Sequence, residues 1–182
     1  MQKPLARVRS PAMFRRMKRL VWLLPLAAVA VLRAADPAPD PLEPQVAALI
    51  AGPQVTVVRF WAPWCPNCRA EMDPANGWAK FIGDNPDVKV VFLNIWHKGQ
   101  DPQPRLAESG LGAQPNLLLL NHPNRSRLEE TRLNTFLGLP LTWIPTTWIY
   151  REGRLRAAFN YGEIRFPVLQ QMVDDARNEW KH

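Results

Sequence analysis

Short runs of apolar residues alternate along most of the chain with longer stretches of mixed polarity. Three of these runs, residues 55–60, 88–95 and 116–120, are rich in Val, Leu and Ile, which is typical of strands buried on both faces of a sheet. Helices are predicted between them, one after Pro66 and a short one that ends at Gly110 or Gly112. This alternation of strand and helix predicts a parallel βαβ core.

The last third of the chain predicts a helix, a hairpin and a closing helix. Residues 125–138 carry leucines and a phenylalanine on one broad face and stop at Gly138, as an amphipathic helix would. Residues 146–150 and 155–160 flank a turn that contains Gly153, so they predict an antiparallel hairpin. Residues 166–180 predict the closing helix. The expected fold class is therefore α/β, with a mixed central sheet flanked by helices.

The first 45 residues have a different pattern. Residues 1–19 are basic, residues 20–32 form an apolar run of 13, and Ala28-Val29-Ala30 fits a small-residue cleavage site. This order predicts a secretory signal peptide over residues 1–35, because the apolar run is shorter than a membrane span needs. An uncleaved membrane anchor is the alternative. Residues 36–45 contain four prolines and predict a tether, which leaves residues 46–182 as the folded domain.

The charge distribution excludes one class of function. The chain has a net charge of +7 and a pI of about 10.0, which at first suggests a nucleic-acid-binding protein. From Asp36 onward, however, 15 Lys and Arg face 16 Asp and Glu, so this part has a net charge of −1. The basic character lies in the predicted leader, and no nucleic-acid partner is expected for the domain.

The only two cysteines, Cys65 and Cys68, lie three residues apart where a strand passes into a helix. Residues with this spacing are neighbours on a helical turn, so the pair can form a disulfide. Cys65 would sit at the helix N-terminus, which stabilises a thiolate and lowers its pKa. We therefore expect Cys65 to attack a substrate disulfide and Cys68 to resolve the mixed disulfide that results.

Two other roles for the cysteines remain open. A structural disulfide over so short a loop would add only about 2 kcal/mol of stability. A zinc site needs four ligands, and only His97, His122 and His182 could complement the two cysteines. Export favours a disulfide that cycles, because disulfides persist outside the cytoplasm. No metal is predicted, and His97 and His122 are interpreted as loop residues.

The stretch "WAPWCPNCRAEM" resembles the active site of the thioredoxin superfamily. It is most similar to the exported TlpA/ResA/CcmG-like thiol–disulfide oxidoreductases, over residues 55–181. The resemblance implies a thioredoxin fold with a short central insertion, over residues 101–120. "WIPTTWIY" resembles the loop in which the superfamily places a cis-proline opposite the dithiol, which would be Pro145 after Ile144. No cofactor beyond the Cys65–Cys68 disulfide is implied.

The same resemblance predicts the residues that contact a substrate. The cis peptide would leave the backbone groups of Ile144 available to a substrate strand. Trp64 and Trp143 lie beside the dithiol and the proline, where an apolar docking surface is expected. Trp61 and Trp148 are interpreted as core residues. The predicted substrate-binding set is Trp64, Pro66, Trp143, Ile144 and Pro145.

The sequence departs from the family pattern at two positions. Arg59 stands where thioredoxin has a buried carboxylate that helps to move the proton of the resolving thiol. An inward Arg59 would stabilise thiolate and could not act as a base, but it could also reach the surface or pair with an acid. Glu71, three residues after Cys68, is a candidate base, although an exposed glutamate is the commoner outcome. Pro74 falls one residue later than the family's helix proline and predicts a kink or break there.

The expected function is exported thiol–disulfide exchange, in the periplasm or otherwise outside the cytoplasm. The resemblance implies a reductant of client protein disulfides, in cytochrome c maturation or a related assembly, that receives electrons from a membrane disulfide-relay reductase. An N-terminal tether could hold it at the inner membrane. An exported oxidant is one alternative. A Cu(I)-delivery factor that uses the same cysteines and a histidine is another.

Overall fold

The computed structural model describes residues 40–112, 114–160 and 162–179. The predicted signal peptide or anchor, and the first four residues of the predicted tether, lie outside the described residues. Among the residues that are described, no helix has both the length and the hydropathy to cross a bilayer.

The centre of the domain is a five-stranded mixed sheet of the predicted class. The strands are β1 Thr56–Trp61, β2 Lys89–Asn94, β3 Leu117–Asn121, β4 Thr135–Phe136, β5 Leu139–Pro140, β6 Thr146–Arg151 and β7 Arg154–Phe159. The strand order of the sheet is β3-β2-β1-β6-β7. The first three strands run parallel to one another, β6 is antiparallel to β1, and β7 is antiparallel to β6. β1 and β2 are almost wholly buried, as their continuous apolar sequences predicted.

Five helices accompany the sheet in the described residues. They are α1 Glu43–Ile50, α2 Pro66–Ala70, α3 Trp78–Asp84, α4 Gln103–Glu108 and α5 Phe166–Arg177. α1 begins three residues inside the predicted tether, so the expectation of a non-helical tether through residue 45 is wrong there. Its prolines do not prevent this, because Pro44 falls in the first turn, where its missing N–H is not needed. α4 and β3 occupy the segment that the resemblance assigned to the central insertion.

The helix predicted over residues 125–138 is wrong. This segment forms a loop followed by the small hairpin of β4 and β5. Short polar side chains within and just before this segment bond to its backbone, which is therefore not left to form a helix: Ser126 Oγ accepts from Leu128 N at 3.1 Å, and Asn124 Nδ2 donates to Thr131 O at 2.8 Å. Phe136 is fully buried against Phe60, with ring centroids 5.5 Å apart, so the hairpin is fixed by the core.

The helix that carries Cys68 breaks where Pro74 predicted. α2 ends at Ala70, and the Asp73 carboxylate then accepts hydrogen bonds from Ala75 N and Asn76 N at 2.7 and 2.9 Å. Gly77 passes so close to this turn that a Cβ atom would lie 2.3 Å from Glu71 O. The break therefore depends on glycine at residue 77, and it turns Glu71 away from the solvent and into the domain.

Aromatic side chains fill the core on both faces of β1. Trp61 and Trp148 are each 1 % exposed, which confirms that they are core residues. Trp148 packs edge-on against Phe60 with ring centroids 4.5 Å apart. Trp61 makes a similar contact with Phe92 at 5.9 Å. Such pairs add to the free energy gained by burial, so the strand that leads into the dithiol is held rigidly.

Candidate active site

Cys65 and Cys68 lie together at the start of α2, both as free thiols and both buried. Cys65 has extended backbone angles and caps the helix, because its Sγ accepts a hydrogen bond from Cys68 N at 3.4 Å. Pro66 occupies the first helical position, where its fixed φ suits the turn and its missing N–H costs nothing. The sequence therefore places Cys65, and not Cys68, at the end of the helix that attracts negative charge.

The two thiols have pKa values on opposite sides of the ordinary one. A hydrogen bond from the Cys68 thiol lowers the pKa of Cys65 to about 7 against the opposing effect of burial, and Cys68 N–H and the Arg59 charge lower it further. Burial raises the pKa of Cys68 well above its usual value, because the charged form would lose its hydration. At neutral pH about half of Cys65 is thiolate while Cys68 keeps its proton.

The loop before β6 faces the dithiol. The Ile144–Pro145 peptide bond is cis, as the resemblance predicted, and Ile144 O lies 3.7 Å from Cys65 Sγ. The reduced Cys65 thiol thus donates to the carbonyl that was expected to receive a substrate strand. Thr146 Oγ1 donates to Trp143 O at 2.9 Å and so ties the loop to the start of β6.

An open groove of about 320 Å³ runs over Cys65. Four of the five predicted substrate-binding residues line it, and the fifth, Pro145, is buried and does not. Trp143 is 49 % exposed, so it presents a large apolar surface at the rim. The groove is lined by Trp64, Cys65, Pro66, Asn67, Trp96, Arg127, Arg132, Trp143 and Ile144.

Four of these residues were not predicted as site residues: Asn67, which lies between the two cysteines, and Trp96, Arg127 and Arg132. Trp96 follows the carboxyl end of β2, beside the end of β1 that leads to Cys65, and this neighbourhood of parallel strand ends was a usable signal. Arg127 and Arg132 gave no such signal, because they belong to the segment that was expected to be helical. Their guanidinium groups stack on Trp64 and Trp96, respectively.

Arg59 and Glu71 form a buried ion pair within the domain. Arg59 projects from β1 and is 1 % exposed, and its Nη2 contacts Glu71 Oε2 while Nη1 donates to Thr147 Oγ1 at 2.6 Å. The structure therefore combines two of the possibilities left open for Arg59: it points inward and it is neutralised by an acid. The expected commoner outcome for Glu71, solvent exposure, is wrong, because the break after α2 turns this residue inward.

The Glu71 carboxylate is fully engaged. Besides Arg59 it accepts from Trp78 Nε1 at 2.8 Å and from Ile164 N at 2.7 Å. Burial raises the pKa of Glu71 and lowers that of Arg59, and in each case the charge of the partner opposes the effect. Because three donors surround the carboxylate, we interpret the pair as ionised. The role of Glu71 as a base for the resolving thiol stays a prediction.

His97 and His122 are held by other partners. His97 Nε2 lies 3.1 Å from His122 O, and His122 Nε2 pairs with the Asp40 carboxylate. Both are buried loop residues, in agreement with their interpretation from the sequence. Within the described part of the chain, no three side chains of His, Cys, Asp or Glu gather where they could hold a metal ion.

Comparison with known proteins identifies the family. The model of the thioredoxin-like domain family matches residues 44–177, so the chain belongs to this family. Among solved structures it is similar to a thiol:disulfide interchange protein of the thioredoxin family from Chlorobium tepidum, with a TM-score of 0.50, 16 % identity, and coverage of 72 % of this chain and 84 % of the other. Comparison with curated protein sequences gives no significant match.

Two further solved structures are similar to this chain. One is a secreted Mycobacterium tuberculosis disulfide oxidoreductase homologous to E. coli DsbE, with a TM-score of 0.49, 22 % identity, and coverage of 68 % of this chain and 83 % of the other. The second is StoA from Bacillus subtilis, with a TM-score of 0.47, 20 % identity, and coverage of 66 % and 83 %. The family and the paired thiols at the helix N-terminus together define the protein as a thiol–disulfide oxidoreductase of thioredoxin fold.

Proposed function

We propose that this protein is an exported reductant that transfers two electrons from Cys65 and Cys68 to disulfides of client proteins. The observation that carries the proposal is the asymmetry of the dithiol. Cys65 has a pKa lowered to about 7 and opens onto the groove, whereas Cys68 is buried behind it with a raised pKa. Cys65 is thus suited to attack the client disulfide, and Cys68 to resolve the mixed disulfide that forms.

The reaction proceeds in two exchange steps. The Cys65 thiolate attacks one sulfur of the client disulfide, a mixed disulfide forms, and the second client sulfur leaves as a thiolate that takes a proton. Cys68 then loses its proton and attacks Cys65 Sγ, which breaks the mixed disulfide and releases the first client sulfur, which takes up a proton. The client disulfide is reduced to two thiols, and Cys65–Cys68 is oxidised to a disulfide.

The degree of activation of Cys65 supports the reducing direction. A reduced form that is strongly stabilised by a very acidic thiol, with a pKa near 3.5, makes a dithiol a strong oxidant, whereas thioredoxins have a pKa of about 7. The pKa of Cys65 is lowered only to about 7, which is the pKa found in the reducing thioredoxins and not that of the strong oxidants. An oxidised Cys65–Cys68 pair must be reduced again after each turnover, and a membrane disulfide-relay reductase is the proposed electron donor.

A redox titration tests the direction. We expect the reduction potential of residues 36–182 to be about −270 mV, the value of thioredoxin. A reduction potential of about −120 mV would instead identify an oxidant. A Cys68→Ser variant should accumulate the mixed disulfide with a disulfide-containing peptide. A Cys65→Ser variant, in which the buried Cys68 remains, is the matched control and should trap none. Equal trapping by both variants would refute the assignment of Cys65 as the nucleophile.

Export is proposed from the sequence of residues 1–35, and the clients from the resemblance. A cleaved signal peptide would release the domain into the periplasm, and cytochrome c maturation or a related assembly would supply the clients. Mass spectrometry of the mature protein should find an N-terminus between Val31 and Asp36. Recovery of the intact N-terminus in the membrane fraction would show instead that the segment is an anchor.

A further inference from the structure

Two arginines, Arg127 and Arg132, frame the groove over Cys65. Arg127 Cζ lies 3.4 Å from the centroid of the Trp64 ring, and Arg132 Cζ lies 4.4 Å from that of Trp96. In the part of the chain that the structure describes, neither guanidinium lies within ion-pair distance of an Asp or Glu side chain. The charged residues that line the groove are therefore both positive, while the chain from Asp36 onward has a net charge of −1.

The loop that carries the two arginines is held in place by its own hydrogen bonds. Ser126 Oγ and Thr131 Oγ1 lie 2.7 Å apart, and Arg132 N donates to Leu128 O at 2.8 Å. The loop is also tied to the tryptophan beneath it, because Trp96 Nε1 donates to Leu133 O at 3.0 Å. Because the loop is already ordered before a client binds, less conformational entropy is lost on binding.

The tryptophans are fixed as well. Trp64 Nε1 donates to Trp96 O at 2.8 Å, which ties the Trp64 ring to the backbone of Trp96, and both residues line the groove with Cys65. When a guanidinium stacks on an indole ring, its planar face contacts the ring. The N–H groups at the edge of the guanidinium still point outward, where they can donate hydrogen bonds to a carboxylate. Arg132 Nε donates to Asn134 Oδ1 at 3.0 Å, which leaves its terminal nitrogen atoms for such a contact.

We propose that this groove selects client protein segments in which Asp or Glu lies within about two residues of the disulfide-bonded cysteine that Cys65 attacks. The inference rests on the proposed function and names the class of client. Two residues of extended chain span about 7 Å, and Arg127 stacks on Trp64, the residue directly before Cys65, so an acid at this spacing would lie in the neighbourhood of its guanidinium. Glu129 and Glu130, the acids of the same loop, are exposed and do not line the groove.

Three disulfide-bonded peptides of otherwise identical sequence test the selection, with Asp, Ser or Lys on both sides of the reactive cysteine. The measured quantity is the second-order rate constant for reduction of each peptide by the reduced domain at low ionic strength. We expect the ratio of the Asp to the Ser peptide to exceed one, and the ratio of the Lys to the Ser peptide to fall below one. Both ratios should approach one in high salt, because salt screens exposed charges.

Substitution identifies the source of the preference. Arg127→Gln and Arg132→Gln should each lower the Asp-to-Ser ratio about twofold to fivefold, and the double variant should bring it close to one. Arg127→Lys keeps the charge but loses the planar stack, so it should retain only part of the preference. Arg154→Gln, an exposed change of the same charge on β7, is the control and should leave both ratios unchanged. Tryptophan fluorescence and a urea melt show that each variant is folded.

The outcomes separate the two proposals. If the domain reduces none of the peptides, the proposed function is wrong. If it reduces all three at equal rates, or keeps its preference in the double arginine variant, the proposed function stands and the selection of acidic clients by this groove is wrong. Glutathione disulfide is run beside the peptides, since it also carries carboxylates. A loss in the double variant confined to glutathione disulfide would show that the groove serves that small molecule, and would overturn the proposal.

Discussion

Removing one charge of the Arg59–Glu71 pair should shift the reduction potential, and the direction of the shift should depend on which of the two charges is removed. Glu71→Gln leaves the Arg59 charge unbalanced within the domain, which stabilises thiolate and thereby the reduced form. The protein should then become more oxidising. Arg59→Gln removes a charge that lowers the pKa of Cys65, so this variant should become more reducing. The double variant removes both charges and should lie close to the wild type.

The magnitude follows from the pKa of Cys65. At an effective dielectric constant of about 20, a unit charge at about 10 Å contributes about 1.7 kcal/mol, so a change of about one pKa unit is expected for either single substitution. Because the wild-type pKa is about 7, a fall of one unit raises the potential at pH 7 by about 20 mV, whereas a rise of one unit lowers it by only about 8 mV. At pH 8.5 the same changes amount to about +30 and −25 mV.

Glutathione redox titrations at pH 7.0 and 8.5 measure these shifts. Asp84→Asn, which removes one exposed carboxylate from α3, is the matched control and should leave the potential unchanged. Shifts of the same sign in the two single variants would refute the reasoning. So would a double variant that departs from the wild type by more than either single variant. An unchanged potential in all three would mean that the ion pair does not influence the dithiol.

Stability provides a second measurement on the same variants. Leaving one member of a buried ion pair without its partner costs about 3–5 kcal/mol, because the remaining charge is neither hydrated nor neutralised. Urea unfolding should therefore show both single variants to be less stable than the wild type, with the double variant recovering part of the loss. The coupling free energy of this cycle measures the pair, provided that each variant retains the fold.

Three further predictions follow from the site and the fold. Alkylation of the reduced protein should increase about tenfold per pH unit up to about pH 7, level off above it, and label Cys65 alone; an inflection near the usual value of 9.0 would contradict the assignment. Because the folded pKa of Cys65 is depressed, its thiolate stabilises the reduced form above the unfolded pKa, and this contribution is lost as the pH falls through about 7. Relative to the oxidised form, the reduced form should gain about 2 kcal/mol between pH 6 and pH 8.5 in urea unfolding, and a decrease would refute the sign. Phe136→Ala should cost about 3–5 kcal/mol of stability and Phe136→Leu much less, whereas equal small effects would show that the β4–β5 hairpin does not depend on the core.

The sequence predicted the elements whose pattern is strong and local. β1 and β2 begin and end within one residue of the predicted strands, because a continuous apolar run needs burial on both faces and has few alternatives. The place of Cys65 at a helix N-terminus followed from the strand before it and Pro66 after it. The hairpin of β6 and β7 was marked by Gly153, which has a φ of 72°.

Long-range side-chain pairing was not available from the pattern. Arg59 lies on a strand and Glu71 in the turn after α2, and they meet only because Gly77 allows that turn to close tightly. Residues 125–138 have the leucine spacing of an amphipathic helix, but Asn124, Ser126 and Thr131 stabilise a loop through bonds that a periodicity analysis does not count. The groove was consequently predicted without the two arginines that this loop brings to it.

The three arginines near the dithiol differ in burial and in pairing, so their effects on the reaction can be measured separately. Arg59 is buried and paired, so its effect on the thiols is largely offset by Glu71 and is independent of the client. Arg127 and Arg132 face the groove without an acidic partner among the described residues, so their charge acts on whatever binds there. A change at Arg59 should alter the equilibrium with every disulfide alike, and a change at Arg127 should alter only the relative rates of clients that differ in charge. Within this fold, the driving force for reduction and the choice of client therefore depend on different residues.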